Sequence, residues 1–468
     1  MQQELNEQEK RIFILFPPLR SVLELALPAV ISQIIMVVYN LADTYFVGRT
    51  DDPNKVAALT LCMPMMLLMT GMANLFGIGG SSMIARFLGR GDFNKAQRSS
   101  AFAIWCAVML GFIYSLAVLV FCPTVLRLLG ATDSTFKFAR EYLTWVVIAG
   151  ALPSILNALL AHLIRAEGNS RLASLGVSMG GVLNICLDPL FMFVLLPTGH
   201  ETQGAAMATM LSNTAEAVLF AVHIIRHGKE SVLTLDPRNV SLKDGIPSGV
   251  ISIGIPSFLM TILSSFSNIV VNNLISAASS AAIAGMGIAK KINMLSFRVT
   301  TGITQGSLPL IAFNHSAGNY RRMKKSIAIS AGISVGFAFI CMLVSRTFGA
   351  QLVRLFIDNE ETIAYGSSFI RIICFAMPLA AVSMSSMMMF QAAARKGEST
   401  ALSVLRKGIL DVPLMFILNR SLSVRGVAMA TPIAEALGVC ICAVLLIRFF
   451  RGLGSKPGHE LPERKTIL

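Results

Sequence analysis

Two aspartates lie inside apolar stretches of this sequence, where a carboxylate is costly. Asp43 ends the run ALPAVISQIIMVVYNLAD, which also contains Gln33 and Asn40. Asp188 lies in NICLDPLF, four residues after Asn184 and therefore on the same face of a helix. A charged side chain at the centre of a bilayer costs roughly 3 kcal/mol. Such side chains generally face a cavity or a partner group, so both aspartates are candidates for a functional site.

The chemistry open to such a pair is the reversible binding of a proton or a metal cation. Two carboxylates close together in a medium of low dielectric constant do not both remain charged without a large cost. Either one carboxyl group binds a proton, or a cation neutralises the pair. A set of carboxylate, hydroxyl and carbonyl oxygens suits Na⁺, whereas a single proton-binding aspartate suits H⁺. The sequence leaves this choice open, and we favour H⁺.

Composition predicts an all-α integral membrane protein. Of the 468 residues, 54% are hydrophobic and 14% are charged, whereas soluble domains carry about 25% charged residues. The apolar runs have about 20 residues or more, which suits helices, because the strands of a membrane barrel have about 10. The net charge of +14 comes mostly from short loops, so we expect no nucleic-acid partner. The eight cysteines show no CxxC or other metal-binding spacing.

We predict about twelve membrane-spanning helices. Their approximate bounds are 21–48, 56–85, 99–122, 140–164, 172–197, 203–226, 247–275, 281–311, 325–347, 366–393, 402–420 and 424–449. The loops on one side of the membrane hold most of the 39 lysines and arginines, Arg406 and Lys407 among them. Basic loops face the cytoplasm. We therefore expect a multi-pass protein of the cell membrane with both termini in the cytoplasm.

The two halves of the chain are repeats of each other. Pro28 and Asn40 correspond to Pro256 and Asn268, and both pairs are 228 residues apart. Each half holds an even number of spans, so the two lobes share one orientation and are related by an axis along the membrane normal. The predicted parts are an N-terminal cytoplasmic segment (1–20), an N-lobe (21–226), a cytoplasmic linker (227–246), a C-lobe (247–449) and a cytoplasmic tail (450–468).

A series of motifs follows in a characteristic order along both lobes. The motifs are P-x4-Q-x6-N-x2-D-x3-VG from Pro28, IARFLGRGDFNKA from Ile84, RAEGNSR from Arg165, NICLDPLF from Asn184, GAAMAT from Gly204, QGSLPLIAFNHSAGNYRR from Gln305 and FQAAARKGE from Phe390. Their order resembles that of the multidrug and toxic compound extrusion (MATE) family. The resemblance implies a V-shaped helical exporter with a central cavity, driven by H⁺ or Na⁺, with organic cations as its usual substrates.

Polar groups from three predicted helices fall at one level in the N-lobe. With a rise of about 1.5 Å per residue, Asp43, Asp188 and Thr209 lie in the outer half of the membrane, and Asn184 lies one turn deeper. The resemblance implies a cation site at these four residues, with the carbonyl group of Ala205 as a further ligand. Bound Na⁺ would be held by the same four side chains.

Other polar positions in the spans are secondary candidates. Pro28 cannot complete the hydrogen-bond ladder of its helix, and we expect it to bend the helix. In the C-lobe, Val271 and Val412 stand at the positions equivalent to Asp43 and Asp188, so we expect no ion coupling there. The remaining candidates are Gln33, Asn40, Lys290, Lys291, Arg298 and Asp411. We expect the three basic residues among them to pair with Asp411 or Glu435, or to extend toward the membrane surface.

These expectations describe a secondary active antiporter that exports organic, mostly cationic compounds in exchange for H⁺ or Na⁺ by alternating access. We expect a monomer with small-molecule organic cations and membrane lipids as partners, no enzymatic activity, and no cofactor besides the coupling ion. An alternative is a lipid-linked oligosaccharide flippase of the same superfamily. The basic residues Lys290, Lys291 and Arg298 are compatible with this alternative, because such flippases usually have an arginine-rich central cavity. A channel or membrane scaffold is a third alternative, although it would not need carboxylates in one half only.

Overall fold

A computed structural model describes residue 5 and residues 7–48, 53–197, 199–228, 231–276 and 279–454. These residues are almost entirely helical and include no β-strand, which confirms the all-α class. Most of the predicted cytoplasmic tail and the first residues of the N-terminal segment lie outside the described residues.

Sixteen α-helices follow one another along the described chain. They are α1 Glu7–Lys10, α2 Pro18–Gly48, α3 Pro53–Gly89, α4 Phe93–Leu128, α5 Asp133–Leu143, α6 Ala151–Ala166, α7 Ser170–Leu190, α8 Glu201–Arg226, α9 Ile246–Ser276, α10 Ser280–Ser316, α11 Tyr320–Thr347, α12 Gly349–Arg354, α13 Glu360–Ile373, α14 Ala376–Ala392, α15 Lys396–Val404 and α16 Asp411–Gly454. Short π-helices occupy Arg11–Leu15, Thr144–Ala149, Phe191–Leu195 and Leu405–Leu410, and a 3₁₀-helix occupies Pro237–Asn239.

The described helices account for the predicted spans. Eight helical segments are long and apolar enough to cross a membrane, and two bent pairs, α5 with α6 and α13 with α14, bring the number to ten. Helix α16 is broken at Ser423, where φ is 53°, at the boundary between the last two predicted spans. Helix α10 has 37 residues and is less apolar because it contains Lys290, Lys291 and Arg298. Helix α10 and the second arm of α16 lie at the positions of the two remaining predicted spans.

The described chain divides into two compact units. The N-unit consists of residues 31–84 and 93–261, and the C-unit consists of residues 5–30, 85–92 and 262–454. Within the N-unit, a Cβ atom at Gly176 would overlap the ring of Phe220, which shows how closely α7 and α8 approach. Small residues permit this kind of contact between membrane helices. It is this contact that brings the polar residues of α7 and α8 together.

The core of the C-unit is built mainly from α9, α10, α13 and α16. Buried side chains from all four helices form one apolar cluster, which includes Ile275, Met286, Phe369, Ile370 and Met415. The N-terminal segment is held to the same unit, because Arg322 donates from Nη1 to the carbonyl oxygen of Phe16 at 2.6 Å. Phe13 stacks on Phe313 with ring centres 4.8 Å apart.

The stretch predicted as a linker, 227–246, packs on the N-unit. Ser231 Oγ and the backbone N–H of Val232 both donate to Glu167 Oε1 at 2.6 Å, and the N–H of Leu233 donates to it at 3.2 Å. Trp105 Nε1 donates to the carbonyl oxygen of Leu235 at 3.1 Å. Glu167 lies between α6 and α7, outside the spans. Burial raises the pKa of its carboxyl group to about 7, although these hydrogen bonds act in the opposite direction.

Candidate functional site

Helices α2, α7 and α8 position the predicted site within the N-unit. Helix α7 meets α2 at Gly181, where a Cβ atom would lie 3.2 Å from Ile35 Cγ2 and 3.8 Å from Tyr39 Cβ. Beyond this contact Asp43 lies one turn further along α2, and Asp188 lies two turns further along α7. Thr209 of α8 is joined to α7 by a hydrogen bond to Asn184. The structure thus brings together residues that are far apart in sequence.

Asn184 connects the other polar groups of the site. Its Nδ2 donates to Thr209 Oγ1 at 3.3 Å. If the amide is rotated by 180°, its nitrogen donates to Asp188 Oδ2 at 3.0 Å and its oxygen accepts from the Thr209 backbone N–H at 3.3 Å. The second orientation satisfies both amide atoms, which the first does not. Asn184 is therefore placed to respond to a change in the charge of Asp188.

The carboxyl group of Asp188 is fully buried, with a relative exposure of 0%. Its Oδ1 atom has no hydrogen-bond partner among the described residues. Asp43 is partly exposed and close enough for its charge to act on Asp188. Within the described part of the chain, neither aspartate forms an ion pair with a lysine or an arginine. A buried carboxylate without a cationic partner has a strong tendency to bind a proton or a cation.

Ala205 lies in α8 one turn before Thr209 and is buried against Met192, with Phe46 and Leu59 packed around the pair. The chain enters α8 next to the π-helix Phe191–Leu195, and a Cβ atom at Gly204 would lie 2.8 Å from the carbonyl oxygen of Phe191. The site is thus closed on one side by apolar side chains and by a tight contact between backbones. Such surroundings keep the local dielectric constant low, which strengthens interactions between charges.

Three further candidates lie on α2. Pro28 stands inside this helix, which continues from Pro18 to Gly48. Gln33 is buried. Asn40 donates from Nδ2 to the carbonyl oxygen of Met36 at 2.6 Å, four residues earlier in the same helix. The side chain of Asn40 therefore makes a local contact near Asp43.

A second buried set of charges lies in the C-unit, around Asp411. This carboxylate is 1% exposed and accepts hydrogen bonds from Ser267 Oγ at 2.9 Å and Thr431 Oγ1 at 3.2 Å. Lys407 Nζ lies 3.3 Å from Asp411 Oδ2 and 3.6 Å from Glu435 Oε1. Arg406 Nε lies 2.7 Å from Glu435 Oε2. Asp411 and Glu435 therefore both have basic partners.

These basic partners differ from the residues that the sequence favours. From the sequence, Arg406 and Lys407 are counted with the basic loops, although they fall within the predicted span 402–420. In the structure both lie in the π-helix Leu405–Leu410 that continues into α16, and Arg406 is 3% exposed. Lys290 donates to Asn272 Oδ1 at 3.4 Å. It also has an electrostatic interaction with Asp411. Lys291 is exposed and Arg298 is partly buried. A π-helical turn often marks a functional or strained position in a helix.

Comparison with known proteins decides the family. The family model MatE matches residues 28–190 and again residues 256–417. The chain belongs to the MatE family. The two matches begin at Pro28 and Pro256, the same pair of prolines that defines the internal repeat.

Relatives of this MatE chain are similar over nearly its whole length. Multidrug export protein MepA of Staphylococcus aureus (strain MSSA476) is 29% identical over 446 residues, which is 95% of this chain and 96% of the relative. MepA of Staphylococcus haemolyticus (strain JCSC1435) is 28% identical and covers 91% and 92% of the two chains. A solved outward-facing conformation of a multidrug resistance MATE family transporter matches the fold with a TM-score of 0.89 at 22% identity, covering 97% of this chain and 100% of the other.

Two further residues lie near the site: Tyr142, which carries no distinguishing signal in the sequence, and Glu216, whose carboxylate inside the predicted span 203–226 is such a signal. The buried phenol of Tyr142 is close enough for Asp43 and Asp188 to act on it, and its hydroxyl lies 3.6 Å from Met66 Sδ. Glu216 is buried on α8 two turns beyond Thr209, where it accepts from Asn157 Nδ2 at 3.2 Å. Their positions depend on how the helices of this MatE protein pack, which residue spacing does not reveal.

Proposed function

We propose that this MatE protein exports organic, mostly cationic compounds across the cell membrane in exchange for H⁺ or Na⁺. Asp43 and Asp188 bind the coupling ion, both termini lie in the cytoplasm, and the transporter acts as a monomer. The names of the MepA relatives support multidrug export. The observation that carries the coupling role is the buried Asp188, whose Oδ1 has no partner and which lies near a second aspartate without any basic neighbour among the described contacts.

The chemistry of the proposed step follows from the charge of the pair. When both aspartates are ionised, their repulsion in a low-dielectric site disfavours the observed packing. Binding of one cation removes this repulsion and allows Asn184 and Thr209 to complete the hydrogen-bond network. A change of one charge can therefore bias the equilibrium between two helix packings, which is what alternating access requires.

The oxygen atoms around Asp188 are compatible with either ion, and we favour H⁺. A proton needs only one carboxyl oxygen, and Asp188 Oδ1 is available for it. Sodium would need several oxygen ligands at once, as hard cations generally do. Asp43, Asp188, Thr209 and the amide oxygen of Asn184 would supply them, together with the carbonyl group of Ala205.

The test uses proteoliposomes in which ethidium efflux is driven by a pH gradient or by a Na⁺ gradient, each imposed alone. We expect one of the two gradients to drive efflux in the wild type. Asp43→Asn and Asp188→Asn should each reduce this gradient-driven efflux by about tenfold or more, since coupling energies are of that order. Asp133→Asn, an exposed aspartate paired with Arg127, is the matched control and should behave as the wild type.

Wild-type coupling in both the Asp43→Asn and Asp188→Asn variants would contradict the proposed site. A passive current with no exchange would instead indicate the channel alternative, and transport of a lipid-linked oligosaccharide without drug exchange would indicate the flippase.

A further inference from the structure

A groove of about 780 Å³ runs along the C-unit between α11, α13, α14 and the second arm of α16. Its wall is largely apolar and includes Ile372, Phe375, Leu379, Met429 and Ile433. Phe375 is 43% exposed and Met429 is 36% exposed, so the groove is open along its side. Ligand sites commonly have volumes of about 300–1,000 Å³, and this groove is therefore large enough to hold much of a lipid molecule.

Three arginines line the same groove, whereas its lining contains no aspartate or glutamate. They are Arg346, Arg371 and Arg425. Arg346 donates from Nη1 to the carbonyl oxygen of Arg371 at 3.5 Å, and its guanidinium group lies 5.1 Å from the ring centre of Phe375. None of the three forms an ion pair with another described residue. The groove thus presents three positive charges without a protein counter-charge.

The arginines lie far from the basic loops of the same helices. Helix α11 begins at Tyr320 with the basic run RRMKK, and Arg346 stands 26 residues further along. At 1.5 Å per residue this separation is about 39 Å, whereas the hydrocarbon core of a bilayer is about 30 Å thick. Arg346 therefore reaches the headgroup layer opposite the basic loops. The positive-inside rule does not account for arginines on this side.

We propose that this groove binds an anionic phospholipid of the leaflet opposite the basic loops. The phosphate lies among Arg346, Arg371 and Arg425, the hydroxyls of Ser367 and Ser368 contact the glycerol or phosphate oxygens, and the acyl chains follow the apolar wall toward Leu379 and Ile433. This assignment does not depend on the proposed transport reaction.

Two features favour a phospholipid over a free anion or a peptide. Guanidinium groups form paired hydrogen bonds with phosphate oxygens, and these bonds are stronger than those between neutral groups. Below the arginines the groove continues as an apolar surface within the length of the membrane-spanning helices, where lipid chains are the surrounding solvent. Basic pockets between membrane helices on the cytoplasmic side bind anionic lipid headgroups, and this groove presents the same combination of groups at the other surface.

The experiment measures lipid binding to the full-length detergent-solubilised protein by native mass spectrometry. Phosphatidylglycerol and phosphatidylcholine with identical acyl chains are titrated separately and in competition. We expect one phosphatidylglycerol per chain to bind about tenfold more tightly than phosphatidylcholine, a difference of about 1.4 kcal/mol. The combined variant Arg346→Gln/Arg371→Gln/Arg425→Gln should lose this preference.

The matched control removes three positive charges from the opposite ends of α11 and α16, two of the three helices that carry the groove arginines. It is Lys324→Gln/Lys325→Gln/Arg451→Gln, all exposed positions, and it should keep the preference. Arg425→Gln alone provides a milder variant that folds even if the combined one does not, and it should weaken the preference. An equal affinity for the two lipids in the wild type would overturn the proposal, as would an unchanged preference in the arginine variants. Displacement of the lipid by glycerol phosphate at equal concentration would also overturn it, because the acyl chains would then contribute nothing.

Discussion

Buried carboxylates in the two units differ in what neutralises them. In the C-unit, Asp411 and Glu435 each lie within ion-pair distance of a lysine or arginine that belongs to the chain. In the N-unit, Asp188 has no such partner among the described residues, and its neighbour Asp43 carries charge of the same sign. A resident cation neutralises a carboxylate permanently, whereas a carboxylate without one is available to a cation that comes and goes. The difference supports the proposal that ion exchange belongs to the N-unit.

The comparison also explains why a carboxylate on its own is a weak indication of function. Asp411 lies next to Val412, the position equivalent to Asp188, and is equally buried. Its hydrogen bonds to Ser267 and Thr431 and its contact with Lys407 make it part of a closed network. Breaking a buried pair leaves a charge uncompensated, which costs far more than removing both members.

The largest effect on stability is expected from Arg406→Met, because it leaves Glu435 buried without its closest basic partner. Loss of one member of a buried ion pair costs about 3–5 kcal/mol. The thermal unfolding midpoint in detergent should fall clearly, and the double variant Arg406→Met/Glu435→Gln should recover most of the loss. A single variant as stable as the wild type would show that the network in the C-unit does not hold its helices together.

Replacing the buried aspartates Asp188 and Asp411 by asparagine is expected to change the stability by smaller amounts, which differ in sign between the two sites. Asp188→Asn removes an unpartnered carboxylate, so the protein should be as stable as the wild type or more stable by about 1 kcal/mol. Asp411→Asn leaves Lys407 without its carboxylate and should lower the unfolding midpoint. The midpoints of both variants, measured at one pH above neutral, test the comparison directly. Equal destabilisation by both would mean that the two sites are alike.

The sequence was sufficient to predict the internal repeat and the spans, because both rest on apolar runs and paired prolines. The i, i+4 spacing of Asn184 and Asp188 predicted that they share a helix face, and both are buried in the structure. Contacts between helices were harder to predict. The basic partners of Asp411 and Glu435 come from the π-helix Leu405–Leu410, where the wider helical turn changes which side chains face inward.

Tyr142 shows the same limit of the sequence in the N-unit. Its neighbours Arg140 and Glu141 are charged, as expected near the end of a span, yet the phenol on α5 is buried and close enough for both aspartates to act on it. The rotation of a helix about its axis decides this placement. That rotation depends on packing between helices, and not on local residue type.

A matched pair of threonines gives an intermediate effect. Thr209 bonds with Asn184 in the site without a resident cation, and Thr431 donates to Asp411 in the network that has one. Each Thr→Val variant should cost about 1 kcal/mol of stability, the usual value for one hydrogen bond. Only Thr209→Val should also shift the ion concentration that drives half-maximal efflux, because only this hydroxyl belongs to the proposed ion site. A similar shift in Thr431→Val would extend coupling to the C-unit.

The smallest effect is expected at Glu167, a buried carboxyl group that has hydrogen bonds in place of a cation. The donors are the backbone N–H groups of Val232 and Leu233 and the hydroxyl of Ser231. Burial raises the pKa of Glu167 from 4.5 to about 7. The carboxyl group of Glu167 binds a proton more tightly when residues 231–233 are packed against it than when they are not. Packing of these residues is therefore most stable below about pH 4.5 and weakens as the pH rises through about 7. Hydrogen exchange at Val232 and Leu233, corrected for the intrinsic rate, should show protection that falls over this range. Glu167→Gln has no proton to lose, so its protection should not vary with pH, and a variant that kept the wild-type pH dependence would assign the effect to another group.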